Sequence, residues 1–104
     1  MSLDRNRASL LLGFYGNLLT ERQNEVLDYY LNQDFSMQEI ADDLEISKSA
    51  VSDIIHRSIE LLEEYDEKLN LISDYHKRYQ LYELLEKLNI DIVNKYVKEL
   101  KDIE

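Results

Sequence analysis

The sequence contains no cysteine, no proline and no tryptophan, and only two of its 104 residues are glycine. Without cysteine the chain has no disulfides, no thiolate ligands for zinc and no thiol nucleophile. Glycine and proline supply most turns in sheet proteins, so their scarcity favours a chain made of helices. We therefore predict an all-α fold that lacks a winged β-element.

The sequence also lacks a hydrophobic run of membrane-spanning length. Its apolar stretch near the N-terminus is interrupted by Gly13 and Gly16 and has no small-residue cleavage site. A chain of 104 residues suits one domain with a modest core. We expect a cytoplasmic protein without membrane contact, folded as one helical domain over residues 1–104. Residues 20–60 would form its core and residues 61–104 a helical extension.

Positive charge is scarce, with 12 Lys and Arg against 22 Asp and Glu and a net charge of −10. Residues 21–46 are the most acidic part, since they contain eight acids and a single arginine. No segment is a basic block of the kind that binds many phosphates. Any contact with nucleic acid would therefore depend on a small local patch.

Capping signals predict where the helices of the first half begin. A serine or threonine followed three residues later by Glu or Gln forms a capping box, and a serine alone can cap a helix. The capping residues are Thr20 with Gln23, Ser36 with Glu39, and Ser47 alone. An earlier amphipathic helix is predicted from about residue 3 to residue 19, and the second helix should end near Asn32.

The spacing of aliphatic residues after Ser36 predicts a helix-turn-helix. Such a motif needs branched residues where its two helices touch and a small residue at their closest approach. Ala41 suits the close approach, and the remaining packing positions are all aliphatic: Ile40, Leu44, Ile46, Val51 and Ile54. Glu45 stands in the turn, where glycine is usual because φ is positive, and should cost about 1 kcal/mol.

The stretch LTERQNEVLDYYLNQDFSMQEIADDLEISKSAVSDIIHRSIELL resembles the C-terminal promoter-reading region of bacterial sigma factors. Together with the LLLGFYGNLLT start and a tyrosine-rich tail, the chain resembles the small YlxM-like proteins of Gram-positive bacteria. This resemblance implies a sigma-factor-like helix-turn-helix and a regulatory role. It also implies a link to components of the signal recognition particle, to which that family is connected by gene neighbourhood.

DNA is the first candidate ligand, because the N-terminal half of the second helix in such a motif enters the major groove. The candidate DNA-binding residues are Ser47, Lys48, Ser49, Ser52, His56 and Arg57. Lys48 could reach guanine or phosphate, whereas Asp53 on the same surface would repel the backbone. Arg5 and Arg7 would add charge if the first helix lay nearby. A motif that serves only as a scaffold remains the alternative.

The C-terminal half carries a heptad-like apolar seam that is predicted to continue the third helix past Asn70. Asparagine is a poor residue for a helix interior, so a bend or break near Asn70 is the alternative. Its candidate protein-interface residues are Leu62, Tyr65, Leu69, Ile72 and Tyr79. A homodimer with twofold symmetry would bury this seam. In the competing arrangement residues 91–104 fold back as an intrachain hairpin, after a break at residues 88–91 with Asp91 as the cap.

No pattern indicates an enzyme, a cofactor or a metal site. Asp53, His56 and Glu60 share one helix face, but such spacing is common by chance. The sequence lacks a glycine-rich phosphate loop and a nucleophile elbow. We therefore predict a non-catalytic regulatory or accessory protein, with DNA as its candidate ligand. The alternative is a protein–protein adaptor whose acidic run, ELLEEYDEKL, docks a basic partner.

Overall fold

The computed structural model describes residues 4–104, and within this range the chain forms six α-helices and no β-strand. The helices are α1 (Arg5–Tyr15), α2 (Glu21–Leu27), α3 (Met37–Leu44), α4 (Lys48–Leu69), α5 (Leu71–Glu86) and α6 (Asp91–Ile103). A 3₁₀ turn follows α1, and a π-helical turn extends α2 to Asn32, where its end was predicted. The all-α prediction is confirmed. Residue 3, where the first helix was predicted to begin, lies outside the described residues.

The predicted caps of the second, third and fourth helices are all present. The Thr20 hydroxyl accepts from the Gln23 amide at 3.2 Å, and the Gln23 side chain accepts from the Thr20 amide at 3.0 Å. Ser36 and Glu39 make the same reciprocal pair, with both distances 3.1 Å. Ser47 caps α4 through its hydroxyl. These local bonds satisfy amides that a helix start leaves unpaired, which explains why the sequence alone located the three starts.

The described backbone divides into two compact units, an N-terminal unit that ends at Ile72 and a C-terminal hairpin comprising Ser73–Glu104. A single domain over the whole chain therefore stays a prediction. The core of the N-terminal unit draws buried side chains from each of its helices. They are Leu11, Leu12, Tyr15, Val26, Leu27, Ile40, Ala41, Val51, Ile55, Leu62 and Ile72.

The helix that was predicted to continue past residue 70 instead ends there. Asn70 adopts a left-handed conformation (φ 57°), which asparagine tolerates better than most residues, and α5 begins directly after it. The Leu71 amide donates to the Tyr15 hydroxyl at 3.1 Å, and the Ile72 amide donates to the Asp66 carboxylate at 3.4 Å. Side chains from α1 and α4 thus satisfy the start of α5 and stabilise the break.

A polar network connects α1 to the end of α4. The Arg7 guanidinium donates to both Glu63 oxygens at 3.1 and 3.0 Å and to Asp66 at 2.9 Å. The Tyr15 hydroxyl donates to the other Asp66 oxygen at 2.7 Å. Burial alone would raise the pKa of Asp66, but the hydrogen bonds from Tyr15 and Arg7 outweigh it and lower that pKa. The network therefore favours the ionised form of Asp66.

The C-terminal hairpin consists of α6 folded back on the part of α5 that follows Ile72. Arg78 pairs with Glu104, and the Lys101 amine lies 2.8 Å from a Glu86 carboxylate oxygen. The intrachain hairpin that the sequence left open is thus present. The break covers residues 87–90 and so overlaps the predicted range of 88–91. Asp91 is the first helical residue and not the cap, because Ile90 holds the cap position without a side-chain bond.

Candidate nucleic-acid interface

The helix-turn-helix consists of α3, a short turn and α4. Ile40, Ala41 and Val51 are buried, and the other three predicted packing positions lie partly buried against the same core. Glu45 ends α3 in the left-handed region (φ 57°, ψ 42°), and its amide donates to the Ala41 carbonyl. The predicted packing and the positive φ of the turn are confirmed. Glu45 therefore occupies a conformation that glycine would adopt at lower cost.

The six candidate DNA-binding residues lie on the cap and the first three turns of α4. Ser47, Lys48, Ser49 and Arg57 are exposed, whereas Ser52 and His56 are half-buried. Residues four apart on a helix occupy one face, so Lys48, Ser52 and His56 form a row beside Ser49 and Arg57. Because the Ser47 hydroxyl caps α4, its oxygen already accepts an intrachain hydrogen bond. The structure places these residues together, and their contact with DNA stays a prediction.

One of the two cations on this surface is paired within the helix. The Arg57 guanidinium donates to the Asp53 carboxylate at 3.0 Å, and both side chains are largely exposed. Lys48 has no ion-pair partner among residues 4–104. With Asp53 included, the surface carries a net charge of +1, from Lys48 and Arg57 against Asp53. The i,i+4 spacing of Asp53 and Arg57 was the sequence signal for this pair.

Arg5 and Arg7 do not add to this surface. The Arg5 guanidinium lies 4.5 Å from the centre of the Tyr30 ring and pairs with Asp34 at 3.3 Å. Arg7 binds Glu63 and Asp66, which lie in the half of α4 opposite to Lys48. Both arginines therefore stabilise the N-terminal unit, and the additional charge expected from the first helix is absent from the candidate interface.

Three of the acids that precede the interface make local hydrogen bonds. Glu39 belongs to the capping box, and Asp42 accepts from the Gln38 side chain at 2.8 Å. The charge of Asp43, and its hydrogen bond, raise the pKa of Tyr29. These contacts explain why α3 tolerates several acids. Their negative charge lies on the first helix of the motif, which in DNA-binding proteins with this motif crosses the backbone and does not enter the groove.

The predicted protein-interface residues do not form one continuous seam, because the break at Asn70 interrupts it. Leu62 and Ile72 are buried in the N-terminal core, and Tyr65 packs against that core. Leu69 is 52% exposed. Tyr79 lies in the hairpin, with ring centres 4.3 Å from Tyr75 and 5.1 Å from Tyr82. In this conformation Leu62 and Ile72 are unavailable to a partner, and a role for the others stays a prediction.

Residues 4–104 bring no three potential metal ligands together, so Asp53, His56 and Glu60 form no such group. The described helices include none with the length and hydropathy of a membrane span.

A comparison with protein-family models supports the assignment of a helix-turn-helix. The model of the UPF0122 family, described as "Putative helix-turn-helix protein, YlxM / p13 like", matches residues 3–103. The chain belongs to this family. A UPF0122 protein of Staphylococcus epidermidis is 39% identical over 100 residues, covering 94% of this chain and 91% of the relative. A UPF0122 protein of Acetivibrio thermocellus is 44% identical over 96 residues, covering 90% of this chain and 82% of the relative.

A UPF0122 protein of Exiguobacterium sibiricum is 42% identical over 91 residues, which cover 86% of each chain. These matches extend across the helix-turn-helix and into the C-terminal hairpin. The resemblance to YlxM-like proteins inferred from the sequence is therefore confirmed, and the fold it implied is the one observed.

Proposed function

We propose that this UPF0122 protein is a non-catalytic regulator that binds DNA through the N-terminal half of α4. The observation that carries the proposal is the cluster of donors on the second helix of a packed helix-turn-helix, of which Lys48, Ser49 and Arg57 are exposed. Lys48 and Arg57 are the cations that can reach phosphate or guanine, and Ser49 and Ser52 supply hydroxyl donors. DNA binding would place the protein in the bacterial cytoplasm.

The charge of the interface predicts weak binding that depends little on salt. If each protomer neutralises about two phosphates, log K should fall with log salt with a slope of about −2. Asp53 competes with phosphate for Arg57, which lowers the affinity further. A homodimer, which we also propose, would double the number of contacts and approach the range of specific DNA-binding proteins.

The test is a titration of fluorescent random-sequence duplex DNA at low salt, where non-specific affinity is greatest. Lys48→Ala and Arg57→Ala should each weaken binding about threefold to tenfold through the loss of one phosphate contact. Lys68→Ala is the matched control, because Lys68 is an exposed lysine at the other end of the same helix. Absence of binding to any duplex, or equal weakening by Lys68→Ala, would refute the proposal.

A gain-of-affinity variant tests the pairing of Arg57 directly. Asp53→Asn removes the carboxylate that binds Arg57 and should strengthen DNA binding by about twofold to fivefold. Glu67→Gln makes the same change of net charge near the other end of α4 and should alter binding far less. If both variants strengthen binding equally, the effect comes from net charge alone and Arg57 has no local role.

The adaptor alternative has its own support in the arrangement of acids on α4. Glu60, Glu64 and Glu67 are exposed at i, i+4 and i+7, whereas Glu63 and Asp66 bind Arg7. The exposed row is therefore the surface that would dock a basic partner, including a component of the signal recognition particle.

Immobilised, purified bacterial signal recognition particle, with and without nuclease treatment, provides the assay for the adaptor. The variant Glu60→Gln/Glu64→Gln/Glu67→Gln should lose binding that the native chain shows. Because these residues lie outside the Arg7 network, circular dichroism should stay native. Binding that persists in this variant would count against the acidic docking surface.

A further inference from the structure

The C-terminal hairpin exposes an unusual number of large apolar side chains for its size. Most of these side chains are about half exposed or more, and Ile103 reaches 81%. The exposed set is Leu81, Leu84, Leu85, Leu88, Ile90, Ile92, Tyr96, Leu100 and Ile103. Single exposed apolar residues are ordinary on protein surfaces, whereas a cluster of this extent marks an interaction site.

Those of these side chains that belong to α5 and α6 lie on one side of the hairpin, whereas Leu88 and Ile90 belong to the connection between the helices. Tyr82 is buried and marks the face of α5 that points toward α6. At 100° per residue around the helix axis, the exposed leucines of α5 lie about 60–160° to one side of Tyr82. Val97 is buried and marks the face of α6 that points toward α5. The exposed apolar residues of α6 lie at similar angles from Val97, in the same direction of rotation around the helix axis as on α5. Because the two helices run antiparallel, equal rotation brings both stripes to the same side. We call the combined surface the leucine face.

The side of the hairpin opposite to the leucine face is polar. Glu83 on α5 and Lys98 and Asp102 on α6 lie there, and all three are exposed. By the same helical geometry, Lys77 on α5 and Glu99 on α6 lie at the edge of the leucine face, and both are exposed. The leucine face is therefore mainly apolar with charges of both signs beside it, which suits another copy of the same face better than a strongly charged partner.

The hairpin buries too little to account for its own stability. Only Tyr82 and Val97 are buried among its hydrophobic residues, and the Asn94 side-chain oxygen is buried without a hydrogen-bond partner. Compact units of fewer than about 40 residues usually need a metal, a disulfide or oligomerisation to be stable. The cysteine-free chain excludes the disulfide, and no metal-ligand group occurs in the described residues.

The area of the leucine face suits a dimer. The exposed fractions add up to about five complete side chains, or roughly 500 Å² of apolar area per copy. Two such faces would bury roughly 1,000 Å², which is the lower limit expected of a specific protein–protein interface. A self-complementary apolar face of this kind matches the isologous contact of a twofold dimer.

We propose that the leucine face binds the leucine face of a second copy, so that two hairpins form a four-helix arrangement. This inference rests on the homodimer proposed above and not on DNA binding. The sequence predicted a dimer interface along the seam that includes Leu62 and Ile72, whereas the interface proposed here lies on the hairpin. Helix pairs that pack apolar stripes in this way are the usual construction of four-helix bundles.

Sedimentation of the full chain tests the proposal. A protein concentration of up to about 100 µM exceeds the micromolar dissociation constants of modest interfaces. At this concentration the native chain should sediment at twice its 12.4 kDa mass. The variant Leu81→Lys/Tyr96→Lys should sediment as a monomer. The matched control Glu83→Gln/Asp102→Asn makes the same change of net charge on the polar side and should remain dimeric. A native monomer, or a dimer that both variants retain, would overturn the leucine-face dimer.

A second measurement does not depend on the folding of the lysine variant. Because the chain has no cysteine, Tyr96→Cys and Asp102→Cys each introduce a single thiol. A short bismaleimide should crosslink two copies of Tyr96→Cys efficiently and two copies of Asp102→Cys poorly. Equal crosslinking of both would contradict the assigned face. DNA titrations are separate, so a dimer without DNA binding would refute the proposed function and leave the interface intact.

Discussion

The N-terminal unit and the C-terminal hairpin are both built from helices rich in apolar residues, yet they bury those residues to different extents. The N-terminal unit encloses side chains from each of its helices, and Leu11, Val26 and Ile55 are 0% exposed. The hairpin encloses two hydrophobic residues and exposes most of its leucines. The same apolar periodicity in a sequence thus identifies a face that needs covering without identifying what covers it.

The most buried ion-paired carboxylate of each region makes a different number of hydrogen bonds. In the N-terminal unit Asp66 is only 12% exposed and accepts from Tyr15, Arg7 and a backbone amide. In the hairpin Glu104 is 16% exposed and contacts Arg78 and Tyr82, and the Lys101–Glu86 pair is more than one-third exposed on both sides. Buried, multiply bonded carboxylates contribute more to stability than exposed ion pairs do. The N-terminal unit should therefore supply most of the folding free energy.

The largest expected difference concerns matched leucine truncations. Leu62→Ala removes a fully buried side chain of the N-terminal core and should lower the free energy of unfolding by about 3 kcal/mol. Leu84→Ala removes a side chain that is 59% exposed in the hairpin and should cost less than about 0.5 kcal/mol at dilutions that prevent association. Urea unfolding followed by circular dichroism measures both. Similar losses would mean that the two regions are equally well packed.

The next effect concerns the Asp66 network. Asp66→Asn removes the charge that Arg7 and Tyr15 contact and should lower the free energy of unfolding by about 2 kcal/mol. The control Glu67→Gln changes a neighbouring exposed carboxylate by the same charge and should change stability little. If both variants unfold at the same urea concentration, the network does not hold α1 against the end of α4.

The dependence of stability on pH has a definite sign. Folding lowers the pKa of Asp66, against the opposing effect of burial, and lowers that of Asp28 through hydrogen bonds from Asn32 and Gln33. These groups stabilise the fold above their unfolded pKa of about 3.9, and this stabilisation is lost as pH falls through the lower folded pKa. The native chain should therefore lose stability below about pH 4, and Asp66→Asn should lose less. Equal losses in both would contradict the role of Asp66.

The smallest effect compares two left-handed residues, one in each region. Glu45 in the N-terminal unit has φ 57°, and Asn89 in the hairpin has φ 55°. Glu45→Gly should stabilise the chain by up to about 1 kcal/mol, whereas Asn89→Gly should change little because asparagine tolerates this conformation. Thermal unfolding of the two variants measures the difference. A destabilised Glu45→Gly would show that the glutamate side chain contributes contacts outweighing its backbone strain.

The sequence predicted the local features of the fold. Thr20, Ser36 and Ser47 locate helix starts because their hydrogen bonds span only three residues. The motif packing was predictable as well, since Ile40 and Val51 lie close together in sequence and in space. Both depend on contacts of short range, where residue type and spacing are sufficient.

The break at Asn70 could not be predicted with the same certainty. The Tyr15 hydroxyl that accepts from the Leu71 amide lies 56 residues earlier in the chain, and nothing in the sequence around residue 70 indicates this hydrogen bond. For the candidate DNA surface, the sequence located the residues on α4. The i,i+4 spacing of Asp53 and Arg57 indicated their ion pair. The positions of Arg5 and Arg7 again depended on long-range contacts with Tyr30, Glu63 and Asp66.

The salt dependence of DNA binding tests the proposed function most directly. For the native chain, log K against log salt should have a slope of about −2 for one bound protomer and about −4 for two. The slope should become shallower by about 1 per protomer in Lys48→Ala and should stay unchanged in Lys68→Ala. No measurable binding at low salt, or one common slope for all three chains, would contradict DNA recognition through α4.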